Sequence, residues 1–110
     1  MTNLPSLYAR VVAKRPDLAV PMLKIDTSPP GWSLCGSWCG EHFASALILA
    51  RWLEGLPEEA WLGRPTTPVH GWRVCYRNKR AETTYDLVYF SPIEHSPIEA
   101  LAAFYLGETA

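Results

Sequence analysis

The chain has 110 residues, of which 48% are hydrophobic and 19% charged. That supplies enough apolar surface for one packed core, too little length for two ordinary domains, and excludes wholesale disorder. Ten Lys and Arg against eleven Asp and Glu leave a formal charge of −1, so no global field would draw the chain to nucleic acid or to an anionic membrane.

The opening residues, Met1-Thr2-Asn3-Leu4-Pro5, lack the basic and then apolar pattern of a secretory signal. No run approaches the roughly 18 apolar residues of a membrane span. Three cysteines, an odd number, without such a signal point to reduced thiols in the cytoplasm rather than a disulfide framework.

Leu4, Leu7, Tyr8, Val11 and Val12 recur at helical spacing behind Asn3, which can cap, and ahead of Pro16, which stops the helix. The pattern predicts a first helix over residues 4–15. Residues 17–31 contain Pro21, Pro29, Pro30 and Gly31 around Met22-Leu23-Lys24-Ile25. They read as an extended arm holding at most a brief edge strand.

From Glu41 to Glu54, Phe43, Ala46, Leu47, Ala50 and Leu53 follow a helical stripe that Ile48, Leu49 and Trp52 widen, with Gly55 suited to a left-handed stop. A loop is expected over residues 57–71. Trp72, Val74 and Tyr76 then alternate with Arg73, Cys75 and Arg77, as in a half-buried strand, which puts Cys75 opposite the aromatic face.

Residues 83–90, rich in β-branched and aromatic side chains, should pair with 72–77 as a hairpin whose tip is Arg77-Asn78-Lys79-Arg80. Three cations in four residues make a solvated turn more simply than a nucleic-acid stripe. Ser96, Pro97 and Glu99 form a capping box for a last helix with Ile98, Leu101, Ala102, Tyr105 and Leu106 on one face, ended by Gly107. The earlier Ser91-Pro92-Ile93-Glu94 repeats the tetrad without helical periodicity behind it and reads as a turn. The order predicts a single α+β domain: a small antiparallel sheet with a β-hairpin, covered by helices in an α/β/α-type sandwich.

Gly31-Trp32-Ser33-Leu34-Cys35-Gly36-Ser37-Trp38-Cys39-Gly40-Glu41-His42 concentrates whatever reactive chemistry the chain has. Cys39 at a helix start, with His70 before a strand and Asp86 on the next, has the order of a cysteine hydrolase. Cys35-Gly36-Ser37-Trp38-Cys39 nevertheless swaps the last two residues of the papain-type pattern and lacks its upstream glutamine. Cys35, Cys39, His42 and Cys75 are acceptable zinc ligands, yet the second closely spaced pair of a structural site is missing. Redox exchange would want two residues, not three, between the cysteines. The simplest reading makes the thiols small buried groups at a strand-to-helix corner where Gly36 and Gly40 allow close passage, with no cofactor.

Five tryptophans are too many to bury fully in so small a body, and exposed Trp anchors protein interfaces. Trp32, Trp38, Trp61 and Trp72 are therefore the candidate binding residues for a protein partner or for a second copy of the chain.

The stretch from His42-Phe43-Ala44-Ser45-Ala46 through Trp72-Arg73-Val74-Cys75-Tyr76 to Ser96-Pro97-Ile98-Glu99-Ala100-Leu101-Ala102 resembles the small phage ABA-sandwich domains of unknown function, over about residues 40–106. The resemblance implies a phage or prophage accessory protein in the bacterial cytoplasm, with no catalytic residues to carry over. The Cys-rich segment departs from the family pattern and leaves room for a specialised role, such as inhibiting a host or defence protein.

Overall fold

The computed structural model describes residues 3–27, 30–64, 71–78 and 87–107. The chain runs α1 (Leu4–Lys14), a 3₁₀ turn (Pro16–Leu18), β1 (Leu23–Thr27), β2 (Pro30–Leu34), β3 (Ser37–Cys39), α2 (Glu41–Glu54), β4 (Ala60–Gly63), β5 (Arg73–Asn78), β6 (Leu87–Phe90) and α3 (Pro97–Tyr105). It is an α+β fold with two antiparallel sheets, ordered β1-β2-β3 and β4-β5-β6. The first sheet meets α2 through β2, and the second meets α3 through β4 and β5. α3 also packs on α1 and α2, so the helices join the two sheets.

Local signals account for the helix ends. The Asn3 side chain accepts a hydrogen bond from the Ser6 N–H at 3.3 Å, and Ser96 accepts one from the Glu99 N–H at 3.2 Å, each satisfying a donor that the first helical turn leaves open. Gly107, at φ 78°, follows α3 in the left-handed conformation. Residues 91–94 form no helix. Trp72 and Glu94 instead exchange backbone hydrogen bonds of 2.8 and 2.9 Å.

α2 covers the expected residues but turns a different face inward. Ala44, Ile48 and Trp52 are fully buried, whereas Phe43 is 53% and Leu53 39% exposed, and Ala46 and Ala50 are also exposed. Two apolar stripes competed, and the one carrying tryptophan went inside, where the largest side chain removes most area from water. The Trp52 indole donates to the Leu18 carbonyl at 3.1 Å and stacks on Tyr8 at 6.3 Å. Tyr105 meets its ring edge-on and donates its hydroxyl to the Trp52 carbonyl.

The expected arm over 17–31 packs on the core and holds the whole of β1 and the start of β2. Leu18 is fully buried, the Tyr8 hydroxyl accepts from the Val20 N–H at 2.8 Å, and β1 pairs along its whole length with β2. Pro30 does not forbid this because proline is tolerated at a strand's first residue. Leu23, Ile25, Trp32, Leu34 and Cys39 share the inward face and pack on the core.

The second sheet contains the predicted hairpin, with Cys75 paired to Phe90 and Asn78 to Leu87. Residues 79–86, including the expected tip Lys79-Arg80, lie outside the described residues. β4, within the stretch expected to be loop, adds a third strand. Val74 is fully buried and Tyr76 meets Phe104 at 5.4 Å, so this face packs on α3.

Candidate protein-binding face

The segment from Gly31 to His42 is a hairpin that feeds α2. Leu34 pairs with Ser37 across a two-residue turn, Cys35-Gly36, whose φ angles are 53° and 84°. Two positive angles are what a type I′ turn requires. Gly31, not Gly36 or Gly40, is the close-approach glycine: a Cβ there would sit 3.0 Å from the Trp38 indole nitrogen, while at Gly36 and Gly40 nothing among the described residues lies within 4 Å. The Trp38 ring therefore lies along the outer face of β2, still 74% exposed.

The three thiols are separated by this architecture. Cys35 is exposed at the hairpin tip, Cys39 is half-buried against the core beside Trp32, and Cys75 is buried in the other sheet. His42 is exposed in the first turn of α2. Among the described residues no group of three or more His, Cys, Asp or Glu side chains could hold a metal ion, so Cys35, Cys39, His42 and Cys75 do not form the zinc set considered from sequence. His70 and Asp86, the partners expected for a Cys39 nucleophile, lie outside the described residues.

The tryptophans divide as well. Trp32 is 2% exposed and joins Trp52 in the core, which removes it from the candidate binding residues. Trp38 and Trp61, the latter 41% exposed, are open to a partner, and Trp72 is half-buried.

Trp61 belongs to a larger arrangement on the outer face of the second sheet. Strand register places Trp61, Cys75 and Phe90 in one cross-strand row, with Arg73 and Arg77 two residues to either side of Cys75 on the same face. The Arg73 guanidinium lies 4.0 Å from the centre of the Phe90 ring, and that of Arg77 5.5 Å from the Trp61 ring. At the sheet end Arg64 lies 4.9 Å over Trp72. Each ring attracts its cation through the negative charge on the aromatic face.

No family model, curated protein or solved structure matches this chain.

The geometry of the face therefore has to carry the reading by itself. Phe90 is 40% exposed, so two large rings and two arginines meet solvent across three strands. The Arg73 Nε is buried and, among the described residues, has no hydrogen-bond partner. Beside Trp61, a depression of about 410 Å³ is lined by Glu58, Glu59 and Arg77. Sequence alternation identifies Arg73, Cys75 and Arg77 as one face, but Trp61 joins it only through β4, a four-residue strand too short to have a legible period.

Among the described residues no helix is long and apolar enough to cross a membrane.

Proposed function

We propose that this chain is a protein-binding domain whose interface is the outer face of β4, β5 and β6. The stacked pairs Arg73–Phe90 and Arg77–Trp61 carry the reading. Trp and Arg are the residue types that dominate binding energy at protein interfaces, and a guanidinium held over a ring is fixed in place at the surface. A nucleic-acid strand fits less well. Its bases need free aromatic faces, whereas these rings already carry arginines, and Glu58 and Glu59 would repel phosphates beside Trp61. With the resemblance to phage sandwich domains, the partner class is a bacterial host or defence protein in the cytoplasm.

The test is capture from bacterial lysate by the wild-type chain, followed by affinity measurement against the purified partner. Trp61→Ala and Arg77→Glu each alter a solvent-facing residue and should weaken binding about 30-fold, the scale of an interface hot spot near 2 kcal/mol, with thermal stability retained. Binding that survives both substitutions, or capture abolished by nuclease, overturns the reading. Rapid selective alkylation of Cys39 by iodoacetamide near neutral pH would overturn it in favour of cysteine chemistry.

A further inference from the structure

We infer that β1 pairs edge to edge with β1 of a second copy of this chain, antiparallel, about a two-fold axis through Ile25, so that the first sheet runs on from one copy into the other. This edge lies apart from the arginine-bearing face of the second sheet. With five residues β1 is the longest edge strand, and among the described residues β2 is the only strand bonded to it. Two contacts fix its hydrogen-bonding phase. The Cys35 N–H donates to the Met22 carbonyl at 3.1 Å, one step beyond the Leu23–Leu34 pair, whereas the Leu23 N–H turns away from β2 to the Val20 carbonyl at 3.2 Å. Backbone groups alternate in direction along an antiparallel strand. Those of Lys24 and Asp26 therefore meet β2, while those of Ile25 and Thr27, with the Leu23 carbonyl, lie on the open edge, the kind of template to which another strand adds.

Hydrogen-bonding phase and charge together select the occupant. A two-fold contact requires that if residue i meets residue j of the other copy, j also meets i. Outward-facing backbone groups must also stand opposite outward-facing groups, which leaves axes through residue 24, 25 or 26 as the registers of greatest overlap. An axis at 24 sets Lys24 on Lys24, and one at 26 sets Asp26 on Asp26. The axis at Ile25 instead sets each Lys24 against Asp26 of the other copy, and it pairs β1 along its whole length. Ile25 then exchanges both its bonds with Ile25 of the second copy, and each Thr27 N–H donates to the Leu23 carbonyl across the axis. Lys24 and Asp26 have exposed side chains on one face of β1. They meet as a non-hydrogen-bonded pair, the closer type, with Cα atoms about 4.5 Å apart. Opposite charges so placed attract, and like charges repel. Parallel pairing fails on symmetry: a two-fold axis along the strands would turn the apolar face of Leu23 and Ile25 to opposite sides of the joined sheet. One strand on one strand is a small contact, so the dimer is weak and concentration-dependent.

Sedimentation equilibrium of the full chain over a concentration series, with amide hydrogen exchange on the same samples, tests the pairing. Wild type should dimerise reversibly, and exchange at the Ile25 and Thr27 amides should slow as the dimer fraction rises. The Lys24 and Asp26 amides, already bonded to β2, serve as the internal reference. Lys24→Glu and Asp26→Lys each put like charges at both symmetric contacts and should weaken association about tenfold or more, with unchanged thermal unfolding. The double variant Lys24→Asp with Asp26→Lys keeps the net charge, restores both opposite pairs and should recover wild-type association. A chain that is monomeric throughout overturns the inference and leaves the edge to a strand of another protein. A dimer whose Ile25 amide exchanges as fast as in the monomer also overturns it. So do single variants that leave association unchanged, or a double variant that fails to recover it.

Discussion

Gly55→Ala offers the sharpest test of how the helices are joined, because two effects of known sign oppose each other there. Gly55 follows α2 with φ −79°, an angle any residue adopts, so the left-handed stop expected from sequence is not why glycine stands there. Alanine at such a site ordinarily stabilises by about 0.4–1 kcal/mol through the unfolded chain. A Cβ at Gly55, however, would lie 2.5 Å from Leu18 Cδ2 and 3.1 Å from the Tyr105 hydroxyl oxygen. Carbon atoms prefer about 3.5–4.0 Å, so the methyl intrudes by roughly 1 Å.

Leu18 cannot retreat easily. It is fully buried, and its carbonyl accepts the Trp52 indole N–H. Overpacking of this kind costs about 1–3 kcal/mol, which exceeds the entropic gain and leaves Gly55→Ala net destabilising by about 0.5–2 kcal/mol. Urea titration and thermal unfolding read this directly, with several degrees lost in Tm. In a Leu18→Ala background the clashing atom is gone, and the same substitution should become neutral or stabilising. A Gly55→Ala protein as stable as wild type would refute the close-approach argument.

Three further substitutions probe other parts of the fold. Cys35 is exposed and holds φ 53° in the β2–β3 turn, so Cys35→Asn, which forms the Asn-Gly pair favoured in type I′ turns, should raise unfolding stability by about 0.5–1 kcal/mol in urea titration. Ser91 is buried, and its hydroxyl oxygen accepts the Val74 N–H at 2.8 Å. Ser91→Ala strands that donor and should cost about 1–3 kcal/mol in the same assay. Burial pushes the Tyr105 hydroxyl up to about 12. Tyrosine in the unfolded chain ionises near pH 10, so the stability from its neutral form is complete below that value and is lost as pH rises toward 12. Tyr105→Phe should flatten the fall in stability between pH 10 and 12, measured against wild type. An unchanged slope would place the alkaline sensitivity elsewhere.

Much of the fold was legible because its signals are local. Asn3, Pro16, Ser96, Pro97 and Gly107 act within one turn of the residue concerned, and they marked α1 and α3 to within a residue or so. Alternation over 72–77 likewise set Cys75 opposite Val74 and Tyr76. β2 and β3 were hidden because prolines and glycines obscure so short a pattern. β4 was hidden because four residues hardly make one. The candidate face was half visible: Arg73 and Arg77 follow from alternation, whereas Trp61 and Phe90 reach them only across strand pairs.

The sequence by itself determined the α+β class, the helix limits, the β5–β6 hairpin, and the absence of a second thiol pair at zinc-like spacing. Tertiary structure decided which of two apolar stripes on α2 went inward, because both satisfy the helical period and only packing of Trp52 among Leu18, Tyr8 and Tyr105 separates them. It also decided that Trp32 is core while Trp38 and Trp61 face solvent, and that Cys39 and Cys75 belong to different sheets. Periodicity records which side chains share a face. Which face meets the rest of the protein depends on contacts between residues far apart in the chain.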